Sequence, residues 1–356
     1  MTKILAIDTS CDETSAAVTD NLSILSNIIW SQASLHTQYG GVLPSLAQRE
    51  HKARIDFVIQ KALTSAQCLM PNISAVAVTQ GPGLAIALEV GISKAKELAI
   101  KYHKPLIAVN HIEGHLLSPL ANFKFQISNF KFPALGLVIS GGHTELIKIN
   151  KIGDYEILTQ TQDDALGEAL DKAARMLGLG YPGGAILEKM AKLACLRRQG
   201  DPKSYALPLP MAGKEQDNYF SYSGLKTAFY RLVEKEKPLT KEKIYNLAVS
   251  FQSTAFRHLI RVSSLTIRSS AYSLVPSASL LVGGGVAANV EVRKRIRKMA
   301  KEFGIKALFP NSKKLYGDNA AMIGIAAYLK FQRKEFVKDI ASLDRLPRFS
   351  ISDIGI

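Results

Sequence analysis

The chain has 356 residues, 47% of them hydrophobic, enough for two domains with cores of their own, and no apolar run long enough to cross a bilayer. An acid, Asp8, follows only four apolar residues, which leaves no signal-peptide core, and Cys11, Cys68 and Cys195 are scattered as reduced cytoplasmic thiols would be. The net charge of +15 points to a polyanionic partner such as RNA or DNA, although a generally solvated basic surface would give the same figure.

In chain order, Ile4 to Val18 reads as strand, polar turn, strand. Ala75 to Gly83 reads as a strand entering a glycine turn, and a helix follows through Ser93 to Leu98. Pro105 to Val109 is a strand that leads into a helix carrying His111 and His115. Then the pattern repeats. Leu135 to Ile149 is a second hairpin, Ser279 to Asn289 a second strand with a glycine turn, and Val292 to Phe303 a basic helix. Lys306 to Phe309 leads through a loop into Asp318-Asn319-Ala320-Ala321-Met322. Two α/β lobes, residues 1–121 and 133–322, are therefore expected, with a helix at about 323–340 packing back onto the first lobe. A mostly helical insertion is expected at about 154–277, with one helix over Asp163 to Leu177. Between the lobes, Asn122-Phe123-Lys124-Phe125 recurs as Asn129-Phe130-Lys131-Phe132, which suits a linker hairpin or stacking on nucleic acid.

His111 and His115 carry the chemistry. Four residues apart on a helix, two imidazoles share a face and can grip one metal ion; two surface histidines would show the same spacing. Glu113 lies about 200° round the helix from His111, away from the place a zincin-type protease gives its general base. The spacing favours a metal and disfavours a peptidase. Glycine pairs at Gly81–Gly83, Gly141–Gly142, Gly183–Gly184 and Gly283–Gly285 suit backbone anion cradles at helix N-termini, or simply tight turns.

Seven motifs keep a common order: His111 to His115, Ser140 to Leu146, Asp171 to Arg175, Tyr181 to Gly184, Phe220 to Thr227, Gly283 to Asn289, and Gly317 to Ile323. Together, from about Lys3 to Leu329, they resemble the universal tRNA threonylcarbamoyladenosine-forming transferases, once described as O-sialoglycoprotein endopeptidases. The resemblance implies a duplicated α/β fold of the actin, sugar-kinase and heat-shock-ATPase type, two lobes around a cleft. It implies transfer of the threonylcarbamoyl group from threonylcarbamoyl-AMP to the adenosine 3′ of the anticodon in tRNAs reading ANN codons, with release of AMP. His111, His115 and Asp318 would hold one divalent metal, Fe(II) first and Zn(II) second. Val138, Ile139, Ser140, Gly141 and Gly142 would meet the adenylate and its phosphate, Asp171 and Gly184 its ribose, and Asn289 its base end. Taken alone, Asp171 reads as a solvated helix position paired with Lys172 or Arg175, and Asp318 as an N-cap acid. Ser10, Cys11 and Glu13 would shape the acyl-donor site, and His143 is within reach as a base. Implied partners are tRNA, a paralogous dimerisation protein and a small ATPase, with no membrane. Ala185 departs from the family's proline, and the Phe-Lys-Phe repeat is unusual for it. A metallopeptidase, a sugar or acetate kinase, and a non-catalytic scaffold are the rival classes.

Overall fold

The computed structural model describes residues 1–122, 130–197, 205–213, 218–269 and 278–354. Its first strand, β1 (Lys3–Asp8), is buried from Ile4 onward. Leu5 and Ile7 enter one core, while Ile4 and Ala6 enter another. Alternation with both faces buried is the signature of a strand covered on two sides. The antiparallel strands β2 (Glu13–Asp20) and β3 (Ser23–Ser31) follow it, then the short α1 (Ala33–His36) and the long α2 (Pro44–Ser65), whose proline sits in the first helical turn. The lobe is completed by β4 (Ala75–Gly81), α3 (Ala85–Lys101), β5 (Leu106–Asn110) and α4 (His111–Leu117). Its sheet has the order β3-β2-β1-β4-β5, with β1, β4 and β5 parallel.

The second half repeats this plan with β6 (Ala134–Ile139), β7 (Thr144–Lys151) and β8 (Asp154–Gln160). Four helices intervene: α5 (Leu166–Met176), α6 (Gly183–Arg197), α7 (Ser223–Lys235) and α8 (Lys241–Ser269). Then come β9 (Ser279–Gly283), α9 (Val290–Glu302), β10 (Lys306–Leu308) and α10 (Ala320–Gln332). The sheet order β10-β9-β6-β7-β8 is that of the first sheet. The duplication expected from the sequence is therefore present strand for strand, in two mixed sheets of one α/β fold.

The site depends on how the halves meet. Every residue of α4 is buried, as is every residue of α10 from Ala320 to Ile325. A helix apolar all round has no solvent face to offer. α10 lies across β1, β2 and β5 of the first sheet and against α4, while α4 also packs on β6 and β9 of the second. One core joins Ile4 and Ala17, Leu116, Met322 and Ile323, and Val138 and Ile147. The outer faces are covered by α2 and α3 on one side, and by α5, α8 and α9 on the other. Five layers result, with α4 and α10 at the centre.

Several boundaries differ from the sequence reading. The segment from Asp154, expected to open a helical insertion, is the edge strand β8; the first helix after it starts at Leu166. Asp163 does not begin that helix: its carboxylate accepts from the Tyr222 and Ser223 amides at the start of α7. The helix expected at about 323–340 ends at Gln332, and the chain then runs through turns and irregular backbone to a short 3-10 helix, Ile351–Asp353. Of the Phe-Lys-Phe repeat, residues 123–129 lie outside the described residues; Phe130 and Phe132 stack 5.2 Å apart at the edge of the central core.

Candidate active site and metal centre

Asn110 sets the start of α4. Its side chain accepts from the amides of Ile112 (2.8 Å) and Glu113 (3.2 Å), satisfying two orphan donors and leaving His111 as the first helical residue. Glu113 turns the other way. It is fully buried, takes a 2.9 Å hydrogen bond from the Tyr155 hydroxyl, and stays clear of the histidines. Two glycines allow α4 to sit this close to the second sheet. A Cβ on Gly283 would collide with the His115 carbonyl, and Gly284 (φ 93°) rests on the Ile139 carbonyl. Across the pseudo-symmetry, the N-cap of α10 is Asn319, which accepts from the Met322 amide at 3.0 Å. Asp318, read as an N-cap acid, stands one residue ahead of the cap and is free to face the histidines.

His115 Nε2 lies 3.1 Å and His111 Nε2 3.4 Å from Asp318 Oδ1. The rings meet edge to face with centroids 4.7 Å apart, and all three donor atoms fall within 4.8 Å of one another. Burial alone would raise the Asp318 carboxyl, but the two imidazoles overcome it and hold the group far below the usual carboxylate range. Burial pulls His111 down, yet the Asp318 charge outweighs it and the net direction is up. His115 is pulled down by burial. His111 Nδ1 and His115 Nδ1 are buried without partners among the described residues. Two imidazoles and an ionised carboxylate converging with unspent nitrogens are the donor set a divalent cation takes.

His111 and Asp318 line a cavity of about 380 Å³ with walls from both lobes, and His115, fully buried, lies behind them. Ser10, Cys11 and Gly83 come from the first; Ser140, Gly141, Gly142, His143 and Asp171 come from the second. A tight turn shapes the second wall: Ser140 N donates to the His143 carbonyl (2.8 Å) and His143 N to Ser140 Oγ (3.1 Å). Gly141 and Gly142 are exposed there, with nothing within 4 Å of either would-be Cβ. Burial, assisted by the two nearby histidines, lowers His143 to about 4, so it is neutral at pH 7. At the rim, the Arg175 guanidinium donates to the Gly40 carbonyl and Thr37 Oγ1 to the Tyr181 carbonyl (3.3 Å), each bond crossing between lobes.

Not every residue singled out reaches the cavity. Val138 and Ile139 spend both faces in the cores. Gly184 N donates to Asp171 Oδ1 at 2.7 Å, so Asp171 holds the start of α6 as well as lining the cavity. Asn289 is the N-cap of α9, accepting from Glu291 and Val292, and its amide donates to Gln252 (3.1 Å). Glu13 sits at the start of β2 and takes a bond from Ser31; it is absent from the cavity wall.

Residues 23–325 match the sequence profile of tRNA N6-adenosine threonylcarbamoyltransferases. The chain belongs to this family. The enzyme of that name from Nostoc punctiforme is 44% identical over 334 residues, covering 92% of this chain and 90% of the relative. That of a Cyanothece species is 45% identical over 340 residues, covering 94% and 93%. Among solved structures, component A of the Acidaminococcus fermentans (R)-2-hydroxyglutaryl-CoA dehydratase superposes with a TM-score of 0.51 at 14% identity, covering 93% of this chain and 99% of that one. The activator of the Clostridium difficile 2-hydroxyisocaproyl-CoA dehydratase gives 0.50 at 14%, covering 95% and 98%. At such identity the likeness speaks for the fold alone, the actin and sugar-kinase type expected. The chain is thus a member of a tRNA-modifying transferase family, and no helix of its described residues is long and apolar enough to cross a membrane.

Within this transferase cleft one residue had no motif to mark it. Asp8 ends β1 fully buried, with Oδ1 taking bonds from Thr79 Oγ1 (2.7 Å) and Ser10 N (3.2 Å) and lying 3.9 Å from His111 Nδ1. Its Oδ2 has no partner among the described residues. The available signal was an acid closing a run of four apolar strand residues.

Proposed function

We propose that this chain transfers the threonylcarbamoyl group of threonylcarbamoyl-AMP to the exocyclic amine of the adenosine 3′ of the anticodon in tRNAs that read ANN codons. The amine nitrogen bonds to the carbamoyl carbon, the bond from that carbon to the AMP phosphate oxygen breaks, AMP leaves with the electron pair, and the amine gives up a proton. The observation that supports the reading is the convergence of His111, His115 and Asp318, with His111 and Asp318 opening onto a cavity walled by both lobes, in a chain of this family.

The carbonyl is a poor electrophile and the amine a weak nucleophile, so charge stabilisation has to do most of the work. His111, His115 and Asp318 would hold one divalent cation, Fe(II) first and Zn(II) second, which when bound would supply Lewis acidity. The exposed turn at Gly141 and Gly142 receives the phosphate, with Ser140 fixing that turn. Asp171 and Gly184 stand on the ribose side, while Asn289 acts through the α9 start it caps. Val138 and Ile139 support the turn from behind. His143, neutral near pH 7, accepts the amine proton, and Glu13 backs the first-lobe wall. Residues 1–121 and 133–322 act as the two lobes, in the cytoplasm, with a paralogous dimerisation protein and a small ATPase as partners.

His111→Ala should lose both bound metal and N6-threonylcarbamoyladenosine formation in a reconstituted reaction read by nucleoside mass spectrometry. Full transfer by that variant would take the metal out of the reading. No transfer by the wild-type chain, supplied with donor, tRNA and partners, would overturn the reading itself.

A further inference from the structure

Between residues 291 and 314 the chain places nine cations against two acids, Glu291 and Glu302, which is nearly half of the whole molecule's charge excess of +15. The inner side of α9 is apolar: Val292, Ile296, Met299 and Ala300 are buried. That packing turns Lys294, Lys298 and Lys301 outward, and at i, i+4 and i+7 they form one exposed stripe. Among the described residues, Arg295 is the α9 cation with a carboxylate partner, Glu291. Lys294, Lys298 and Lys301 have no carboxylate partner among the described residues.

Two guanidiniums beside the stripe lie against aromatic residues. Arg297 sits 4.8 Å from the centroid of Phe309, and Arg293 5.4 Å from that of Tyr316, to whose hydroxyl it also donates at 2.9 Å. Phe309 and Tyr316 bracket the loop from β10 to α10, and that loop adds exposed Lys313 and Lys314. Tyr316 is two residues from Asp318. The cationic face and the metal-binding carboxylate are therefore parts of one loop-and-helix unit, tied together by the Arg293–Tyr316 bond. Guanidiniums held by a ring contact or a hydrogen bond have already lost part of the freedom that a surface arginine gives up on binding, and their planar forks suit phosphate.

We infer that the outer face of α9, with Lys313 and Lys314, is the platform on which this chain receives RNA phosphates, leading the strand toward the Asp318 side of the cleft. The inference rests on the tRNA substrate proposed above and adds where that substrate lies. Its test is binding of unmodified tRNA to the full-length chain, followed by fluorescence anisotropy across a range of salt. Two variants probe the face, Lys294→Glu/Lys298→Glu/Lys301→Glu and Lys313→Glu/Lys314→Glu. A charge-matched control on the far lobe is Lys52→Glu/Lys61→Glu/Lys101→Glu.

The α9 variant should bind about tenfold or more weakly near 0.1 M salt, with the slope of log affinity against log salt flatter by about 2–3, since each phosphate contact contributes about 0.7–0.9. The loop variant should fall in the same direction, the control should keep its affinity, and in the transfer assay KM for tRNA should rise with kcat unchanged. Unaltered binding by both face variants, or an equal loss in the control, would overturn the placement. A wild-type chain that binds no tRNA would instead bring down the substrate reading beneath it.

Discussion

Glu145 shows what burial does to a carboxyl given no partner. It stands in β7, its Oε2 has no hydrogen bond among the described residues, and burial lifts the group from 4.5 to about 7. The folded chain thus keeps a proton that the unfolded chain has already lost, and stability falls as pH rises from about 4.5 to about 7. Glu145→Gln removes that penalty. Above pH 7 the variant should be more stable than the wild type by up to about 3 kcal/mol, and below pH 4.5 the two should agree. Urea denaturation at pH 4.5 and pH 8 measures this, and equal stabilities at pH 8 would refute it. At this scale the sequence could name His111, His115 and Asp318, because spacing and motif order mark them. It could not separate Asp318 from Asn319 as the cap, since both side chains cap helices and only backbone direction decides which one does. Asn289 is expected at the base end, and the structure shows its side chain also capping α9 and donating to Gln252.

Among the elements, α4 and α10 place the three candidate ligands, and α4 depends on a glycine where backbones nearly touch. That glycine is Gly283, where a Cβ would strike the His115 main-chain carbonyl rather than the end of a flexible side chain. Gly283→Ala should push α4 off β9, costing about 1–3 kcal/mol and weakening metal uptake more than any change at the cavity rim. A thermal melt paired with metal titration reads both effects, and an unchanged melt with unchanged uptake would show that α4 is held otherwise. The repeat of hairpin, glycine turn and helix was legible because central strands are apolar on both faces. The third strand of each sheet was not. β3 and β8 are edge strands whose burial is mixed along their length, so neither alternation nor a continuous apolar run marks them.

Across the whole molecule, the segment after α10 turns out to be a strap. Leu343 is buried in the outer core of the first lobe, Leu346 N donates to the Gln80 carbonyl (2.9 Å), and the Asn110 amide donates to the carbonyls of Phe349 (3.1 Å) and Ser350 (3.3 Å). Ile351 then buries in the central core beside Tyr155 of β8. One segment thus touches both sheets and the residue that caps the metal helix. Ile351→Ala, although near the chain end, should cost about 2–5 kcal/mol, the range for emptying a buried aliphatic site. Chemical denaturation measures it, and a cost below about 0.5 kcal/mol, the range of ordinary surface changes, would return the tail to an ornamental role.

The sequence by itself determined the duplicated α/β plan, the histidine pair and its departure from a peptidase, and the concentration of positive charge in α9, because each is written in spacing or composition along the chain. Motif order put Asp318 with the pair, while tertiary structure alone decided the distances at which they meet, that Asp8 faces them, and that the tail ties the lobes. Those are meetings of residues far apart in sequence, fixed by how two buried helices pack between two sheets, and no local pattern encodes that packing.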